Sequence, residues 1–216
     1  MANRIRVLIV DDHPLVREGL QAVIAQAADL EVAGEAASGA EAVRQAAALR
    51  PDVILMDLLM PGMDGDQAII EILAADAARR ILVLTSVDDA PRILATVRAG
   101  AAGYVSKSAP AAELLEAIRT VHRGSVVLPA TIAQALLSGP SALATPPALP
   151  DVLTEREVEV LALVAQGLNN DDMARRLGIS PRTVSVHVSR ILAKLALENR
   201  TQAALYALRQ GWVTLT

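Results

Sequence analysis

The 216-residue chain has no cysteine and no phenylalanine, and its aromatic residues are one tryptophan and two tyrosines. The absence of cysteine excludes disulfides, thiolate catalysis and zinc–thiolate sites. The scarcity of aromatic rings argues against recognition of single-stranded nucleic acid, because that recognition stacks bases on such rings. Since 53% of the residues are hydrophobic, the core must be built from aliphatic side chains.

Long apolar runs are also missing, and none approaches the roughly 20 residues that a membrane-spanning helix needs. No secretory signal is visible after Met1, because the apolar run 7–10 is short and is followed by two aspartates. These features favour a cytoplasmic protein without a membrane partner.

Charge is distributed unevenly along the chain, whose net charge is −4. Residues 1–138 carry 12 Lys and Arg against 17 Asp and Glu, whereas residues 173–200 hold six basic residues and the single acid Glu198. A basic cluster in an acidic protein is either a solvated helix face or a surface for an anion such as nucleic acid.

The first part of the chain alternates short apolar runs with Ala-rich stretches of helical period. Such alternation predicts a parallel sheet covered by helices on both faces. Five units in about 120 residues favour an α/β flavodoxin-like, doubly wound, five-stranded sheet in the order 2-1-3-4-5. The predicted strands are 5–10, 32–36, 53–56, 81–84 and 103–105, and the predicted helices are 14–27, 39–49, 66–76, 90–99 and 111–122.

The last part of the chain has no strand-like period and predicts four helices. Thr154 and Glu157 form a capping-box pattern before the first helix, which Gly167 ends. A short helix over 170–177 and the turn at Gly178 precede a longer basic helix from Pro181 to about 196, and a fourth helix covers 200–210 up to Gly211. This order is typical of an all-α helix-turn-helix domain.

A segment rich in Pro, Ser and Gly separates these two parts. It contains four prolines between residues 139 and 150 and a short apolar helix candidate near 130–138. Such a composition is typical of a semi-extended linker. We therefore expect three segments: a domain over 1–123, a linker over 124–150, and a helix-turn-helix domain over 151–216.

Carboxylates stand at two neighbouring strand ends of the predicted sheet. Asp11 and Asp12 follow the first strand, and Asp57 follows the third. Strands 1 and 3 are neighbours at the switch point of a doubly wound sheet, where ligands bind. Converging carboxylates require a cation, and hard oxygen ligands suit Mg²⁺. The alternative is that one aspartate caps the helix that begins at Pro14.

Two further strand ends carry polar side chains. Thr85 follows the fourth strand and Lys107 follows the fifth. A hydroxyl and an ammonium beside a metal and a carboxylate would form a site for phosphoryl chemistry. Each residue alone is a weak signal, because a strand-end Thr is usually structural and a loop Lys is usually solvated.

With these residues, the segment 3–122 resembles the receiver domain of bacterial two-component response regulators. The matching elements are Asp11-Asp12, Asp57 within DLLMPGMDG, Thr85, Tyr104 and Lys107. The resemblance implies that Asp57 accepts a phosphoryl group from a sensor histidine kinase, with Thr85 and Lys107 assisting. It also implies a switch pair, Thr85 and Tyr104, and Mg²⁺ held by Asp11, Asp12, Asp57 and the backbone carbonyl of Leu59.

Two apolar residues stand where receivers control attack of water on the acyl phosphate. These residues are Leu59 and Val87, each two positions after Asp57 or Thr85. An apolar side chain cannot orient a water molecule, so we expect slow autodephosphorylation.

The basic helix has two distinct faces. Val184, Val188, Ile191 and Leu195 recur at helical spacing and predict the core side. The opposite side carries the candidate contacts to DNA, and a helix of this width fits the major groove. These candidates are Arg182, Thr183, Ser185, Val186, Ser189, Arg190 and Lys194, with Ser185, Val186 and Ser189 as the base readers.

Residues 151–213 resemble the LuxR-type DNA-binding domain, on motifs that include Leu153-Thr-Glu-Arg-Glu157 and Leu177-Gly-Ile-Ser180. A receiver joined to this domain is similar to the NarL/FixJ family. The resemblance implies a transcription regulator, and not a turnover enzyme, in which phosphorylation switches homodimerisation and binding to double-stranded DNA half-sites. The fourth helix, with Ala203, Ala204, Ala207 and Leu208, is either the dimer contact or bundle core.

Two other functions are compatible with parts of the pattern. An orphan regulator would use the receiver as a dimerisation module without phosphorylation, although the intact set of acids and Lys107 argues against it. A small phosphatase on a similar sheet needs two carboxylates that bracket one residue after the first strand, whereas Asp11 and Asp12 are adjacent.

Overall fold

The computed structural model describes residues 4–86, 90–128, 153–197 and 199–209. The chain divides into two compact units. The first unit contains the sheet with its helices up to His122 and also Val126–Leu128, and the second contains the C-terminal helices. The helix predicted near 130–138, Gly211 and Val87 lie outside the described residues.

The first unit alternates strands and helices, as the sequence predicts. Each predicted element is present, and six of the twenty ends are shifted, by one or two residues. The strands are β1 (Ile5–Val10), β2 (Leu30–Ala36), β3 (Val53–Met56), β4 (Ile81–Thr85) and β5 (Gly103–Ser106). The helices are α1 (Pro14–Ala25), α2 (Gly39–Leu49), α3 (Gly65–Ala75), α4 (Ala90–Ala99) and α5 (Ala111–His122).

The five strands form one parallel sheet in the order β2-β1-β3-β4-β5. This order confirms the predicted flavodoxin-like fold. Val10 pairs with Met56 in register, so the residues that follow β1 and β3 leave the sheet at the same edge. The Asp57 amide donates to the Val10 carbonyl at 2.9 Å, which extends this pairing by one residue into the loop.

Aliphatic side chains fill the interior on both faces of the sheet. Successive residues of a strand point to opposite faces. Val7 and Ile9 of β1 therefore pack into one core cluster with Ile24 of α1 and Ile118 of α5. Leu8, between them in β1, is also fully buried, on the opposite face. Double-sided burial explains why the strands are continuous apolar runs.

The edge strand β5 has a further backbone partner beyond α5. Val127 forms an isolated parallel bridge with Gly103, and its carbonyl accepts from the Tyr104 amide at 2.8 Å. The Val127 amide donates to the Ala102 carbonyl at 3.1 Å. The sequence predicts that residues 124–128 belong to the linker. Val126–Leu128 instead belong to the first unit, because Val127 satisfies backbone groups at the edge of β5.

The second unit is a small helical domain. Its helices are α6 (Glu155–Ala165), α7 (Asn170–Leu177), α8 (Pro181–Lys194) and α9 (Arg200–Arg209). The capping box predicted at the start of α6 is present, with Thr154 and Glu157 bonded reciprocally. Gly178 ends α7 in the left-handed conformation (φ 66°), and the Ser180 side chain caps α8. The helix-turn-helix prediction is confirmed.

The fourth predicted helix, α9, is either the dimer contact or bundle core, and packing distinguishes these alternatives at two positions. Ala203 and Ala207 of α9 are buried in the core of this unit, together with Val184 and Ile191 of α8. A residue buried within its own domain cannot contact a second copy, so these two alanines are bundle core. Across the described parts of the chain, the helices are all too short or too polar to span a bilayer.

Candidate functional site

Three carboxylates meet where β1 and β3 leave the sheet. Asp11 and Asp57 are buried, with 1% and 3% of their surface exposed, and Asp12 beside them is partly exposed. The parallel register of β1 and β3 brings them together, as the sequence predicts. Two carboxylates with so little access to water are costly unless cations or hydrogen bonds offset their charge.

Neither adjacent aspartate caps helix α1. The N-cap residue is His13, which makes no side-chain capping bond, and Pro14 occupies the first turn. Asp11 Oδ1 instead accepts from the His13 amide at 2.9 Å, which holds its carboxylate in the crevice where β1 and β3 leave the sheet. The alternative that these aspartates serve as helix caps is therefore wrong.

Lys107 joins two of the carboxylates. Its Nζ lies 2.8 Å from Asp57 Oδ2, with hydrogen-bond geometry, and 2.5 Å from Asp11 Oδ2. Burial alone would lower the pKa of Lys107, but its contacts with Asp11 and Asp57 outweigh burial and raise it. The ammonium therefore stays charged and partly neutralises the crevice.

The donor set fits a divalent cation. One carboxylate oxygen each from Asp11, Asp12 and Asp57 and one ring nitrogen of His13 all lie within 4.8 Å of one another. Asp12 Oδ1 is 2.8 Å from His13 Nδ1. Hard oxygens grouped at one point suit Mg²⁺.

The remaining predicted residues of this site are placed less completely. Thr85 ends β4 in register with Ser106, while its side chain lies outside the described residues, as does Val87. Tyr104 lies in β5 with 7% of its surface exposed, so its ring is buried. Leu59 is 44% exposed, and its amide lies 3.4 Å from Asp57 Oδ1.

The sequence reasoning missed two arginines that support the site. Arg17 donates to the Asp11 backbone carbonyl at 2.7 Å. Arg92 of α4 donates to the Leu58 carbonyl at 3.0 Å and pairs with Asp64 at 2.9 Å and Asp66 at 2.6 Å. No sequence pattern signals Arg92, because its partners lie 26 to 34 residues away in the chain.

A second candidate site lies on helix α8. The predicted core residues Val184, Ile191 and Leu195 are buried, and the opposite side is open to solvent. Exposed residues there line a shallow depression of about 490 Å³. They are Arg182, Ser185, Val186, Ser189, Arg190 and Ala193.

Hydrogen bonds within this face occupy some of its donors. The Ser189 hydroxyl donates to the Ser185 carbonyl at 3.0 Å, and the Thr183 hydroxyl pairs with Ser180 at 2.8 Å. In the described part of the chain, Arg182 and Arg190 have no carboxylate within ion-pair distance. Their charges remain available to an anion.

Lys194 makes a contact that the sequence did not predict. Its Nζ lies 2.6 Å from Oε2 of the buried Glu157, so its charge is neutralised within the domain. Ala193, and not Lys194, borders the depression. The ammonium of Lys194 is thus engaged by Glu157 in this structure, and its contact with DNA stays a prediction.

Both domains match characterised families. Residues 7–119 match the response regulator receiver domain, and residues 151–207 match the luxR family of bacterial regulatory proteins. The transcriptional regulatory protein LiaR of Bacillus subtilis is 43% identical over 214 residues, which cover 97% of this chain and 99% of LiaR.

Two solved structures are similar over nearly the whole chain. The response regulator ChrA of a heme-sensing two-component system is 36% identical, with a TM-score of 0.53, and the match covers 98% of this chain and 100% of ChrA. A structure of RcsB dimers bound to DNA is 27% identical, with a TM-score of 0.57 and coverage of 98% and 100%.

Proposed function

This chain belongs to the two-component response regulators that join a receiver domain to a LuxR-type DNA-binding domain, and on that premise we propose that Asp57 is its phosphoacceptor. The observation that carries the proposal is the contact between Asp57 and Lys107, which places an ammonium group against a buried carboxylate at the strand edge. Asp11 and Asp12 stand beside it with no role as helix caps.

The chemistry is a transfer of one phosphoryl group. A carboxylate oxygen of Asp57 attacks phosphorus, and the bond from phosphorus to its leaving group breaks. With a phosphohistidine of a sensor kinase, the broken bond is P–N and the leaving group is the imidazole. Lys107 lies where it can pair with the transferred oxygens, because its Nζ already contacts Asp57 Oδ2.

Asp11, Asp12 and Asp57 would hold Mg²⁺, with the Leu59 carbonyl as a further ligand. The ion, when bound, neutralises charge on the phosphoryl oxygens. Lys107 offsets part of the carboxylate charge, and Arg17 fixes the Asp11 backbone. Thr85, the last residue of β4, and Tyr104, within β5, are the proposed switch pair.

Phosphorylation would control the DNA-binding domain through dimerisation. Arg182 and Arg190 are the proposed phosphate contacts, and Ser185, Val186 and Ser189 are the proposed base readers. Thr183 remains a candidate backbone contact beside the helix cap. One small domain with two proposed phosphate contacts on α8 binds weakly, so two copies on two half-sites are needed. The similarity to RcsB, whose dimers bind DNA, supports this arrangement.

Labelling with a small phosphodonor tests the acceptor. Acetyl phosphate and Mg²⁺ should label the wild type once, and D57N should remain unlabelled. D76N, at the end of α3 and away from the site, is the control and should label normally. Labelling of D57N at wild-type level would contradict the proposal.

The orphan alternative predicts a different result from the same material. The wild type would stay unlabelled, and its dimerisation and DNA binding would be identical with and without the phosphodonor. DNA footprinting in both conditions distinguishes this regulator from a phosphorylation-switched one.

A further inference from the structure

The last residue of helix α8 is tied to a buried carboxylate on another helix. Lys194 ends α8, and its Nζ lies 2.6 Å from Oε2 of Glu157 on α6. The Glu157 side chain is 3% exposed, whereas that of Lys194 is 36% exposed. The carboxylate therefore belongs to the interior and the ammonium reaches inward to it.

Glu157 is fixed by more than this ion pair. Its Oε2 also accepts from the Thr154 amide at 2.8 Å and from the Thr154 hydroxyl at 3.0 Å. The bond from the Thr154 amide belongs to the capping box that begins α6, and the bond from the hydroxyl adds to it. A buried carboxylate with three donors keeps one position, so Lys194 must come to it.

The pair also limits the basic face of α8. Lys194 lies one turn after Arg190, and residues four apart share a helix face. Arg190 borders the exposed depression, but Lys194 does not, since its ammonium turns toward Glu157. Without that carboxylate, Lys194 would extend the cationic face by one residue.

We infer that Glu157 is a positioning residue for DNA binding: it holds the C-terminal end of helix α8 against α6 and withdraws the charge of Lys194 from the DNA face. The number of α8 cations that meet phosphates is then set by Arg182 and Arg190. This inference rests on the DNA binding proposed above.

The ionisation of Glu157 agrees with this role. Burial alone would raise the pKa of Glu157, but hydrogen bonds from Lys194 and Thr154 outweigh burial and lower it. The carboxylate is therefore charged at neutral pH.

The salt dependence of DNA binding tests the inference. Fluorescence anisotropy with the full chain and a labelled mixed-sequence DNA duplex gives the slope of log K against log salt concentration. Each phosphate contact contributes about 0.9 to that slope. E157Q keeps a side chain that is compatible with a capping box but removes the charge. It should make the slope steeper by about 0.9, because Lys194 is released to a phosphate.

Two matched variants make the readout specific. K194Q should leave the wild-type slope unchanged, and R190Q should make it shallower by about 0.9. The double variant E157Q/K194Q should return to the wild-type slope. If the role of Glu157 were purely structural, E157Q would change the affinity by the same factor at every salt concentration. The slope of log K against log salt concentration would then equal that of the wild type.

Three results would overturn the inference. One is a K194Q slope shallower by about 0.9, which would mean that Lys194 already contacts a phosphate. Another is an E157Q variant that is folded, as circular dichroism shows, and has the same slope as a wild type whose DNA binding depends on salt. The third is a wild type without salt-dependent binding, which would overturn the proposed DNA binding as well.

Discussion

At the scale of single residues, the receiver crevice depends on Lys107, because one ammonium faces two buried carboxylates. Asp57 Oδ2 and Asp11 Oδ2 lie 2.8 and 2.5 Å from its Nζ. Removing one partner from a buried ion pair leaves uncompensated charge, which costs more than the pair itself contributes. Lys107 therefore raises the free energy of unfolding and also takes part in the proposed chemistry.

We predict that K107Q lowers the unfolding free energy by about 3 kcal/mol in the absence of divalent cations. Mg²⁺ should restore more stability in the variant than in the wild type, because a cation then offsets the freed carboxylates. Thermal unfolding with Mg²⁺ and with a chelator measures both. R44Q, which removes an exposed arginine of α2, is the control and should show neither effect.

The lowered pKa of Glu157 predicts a pH-dependent stability. A carboxyl group whose pKa is lower in the folded state contributes stability above its unfolded pKa, and this contribution is lost as pH falls through the folded pKa. The ordinary value for glutamate is 4.5. Between neutral pH and the region below that value, E157Q should lose less stability than the wild type in urea unfolding.

Glu155 supplies the control for that experiment. It lies in the first turn of the same helix but is exposed. E155Q should follow the pH profile of the wild type, and identical profiles for E157Q and wild type would contradict the prediction.

We predict slow autodephosphorylation because of Leu59. Its side chain is 44% exposed two residues after Asp57, and an apolar group there cannot orient a water molecule toward an acyl phosphate. We predict a lifetime well above seconds for the phosphorylated wild type and a shorter one for L59N. Phosphate-affinity gel electrophoresis after removal of the phosphodonor measures both, and a wild-type lifetime of seconds would disprove the prediction.

At the scale of elements, the start of α3 presses against the loop that carries Asp57. A Cβ atom on Gly65 would lie 2.1 Å from the Asp57 carbonyl oxygen and 2.7 Å from Leu58 Cα. Both neighbours are backbone, which cannot move aside without moving Asp57. The close approach of α3 therefore requires glycine at this position.

We predict that G65A destabilises the receiver by about 1 to 3 kcal/mol and slows labelling of Asp57. G19A is the matched control, because a Cβ atom on Gly19 of α1 would meet nothing within 4 Å. Alanine there should stabilise the helix by about 0.5 to 1 kcal/mol. Denaturant unfolding and acetyl phosphate labelling of both variants test the pair, and equal effects would contradict it.

At the scale of the whole molecule, each unit has its own hydrophobic core. The boundary of the first unit is set by Val127, which bonds to the β5 edge at Tyr104 and next to it at Ala102. A fragment that stops at the end of α5 would lose both bonds, although it contains every strand and helix of the sheet.

We predict that a fragment 1–128 unfolds cooperatively and keeps the labelling of Asp57. A fragment 1–122 should be less stable by about 1 to 3 kcal/mol, because two backbone hydrogen bonds at the sheet edge are missing. Urea unfolding compares the two fragments. Equal midpoints would show that Val127 adds nothing to the first unit.

The sequence by itself determined the two folds and the acidic part of the receiver site. The apolar run 53–56 and the helical period of α8 are patterns between residues that are close in the sequence. Asp57 follows a strand, so the order of the strands places it at the edge of the sheet. The predicted carboxylates converge because parallel strands end at one edge. These features follow from the spacing of apolar residues and from the residues that end each element.

Tertiary structure decided which side chains share charge. The sequence left open whether the aspartates cap α1. It also did not predict the ion pair of Lys194 or the place of Val127 beside β5. Lys107 pairs with Asp57 across 50 residues, and Lys194 with Glu157 across 37. A charged side chain can choose among all groups that folding brings within reach, and that choice depends on distance in space and burial, which local sequence patterns do not encode.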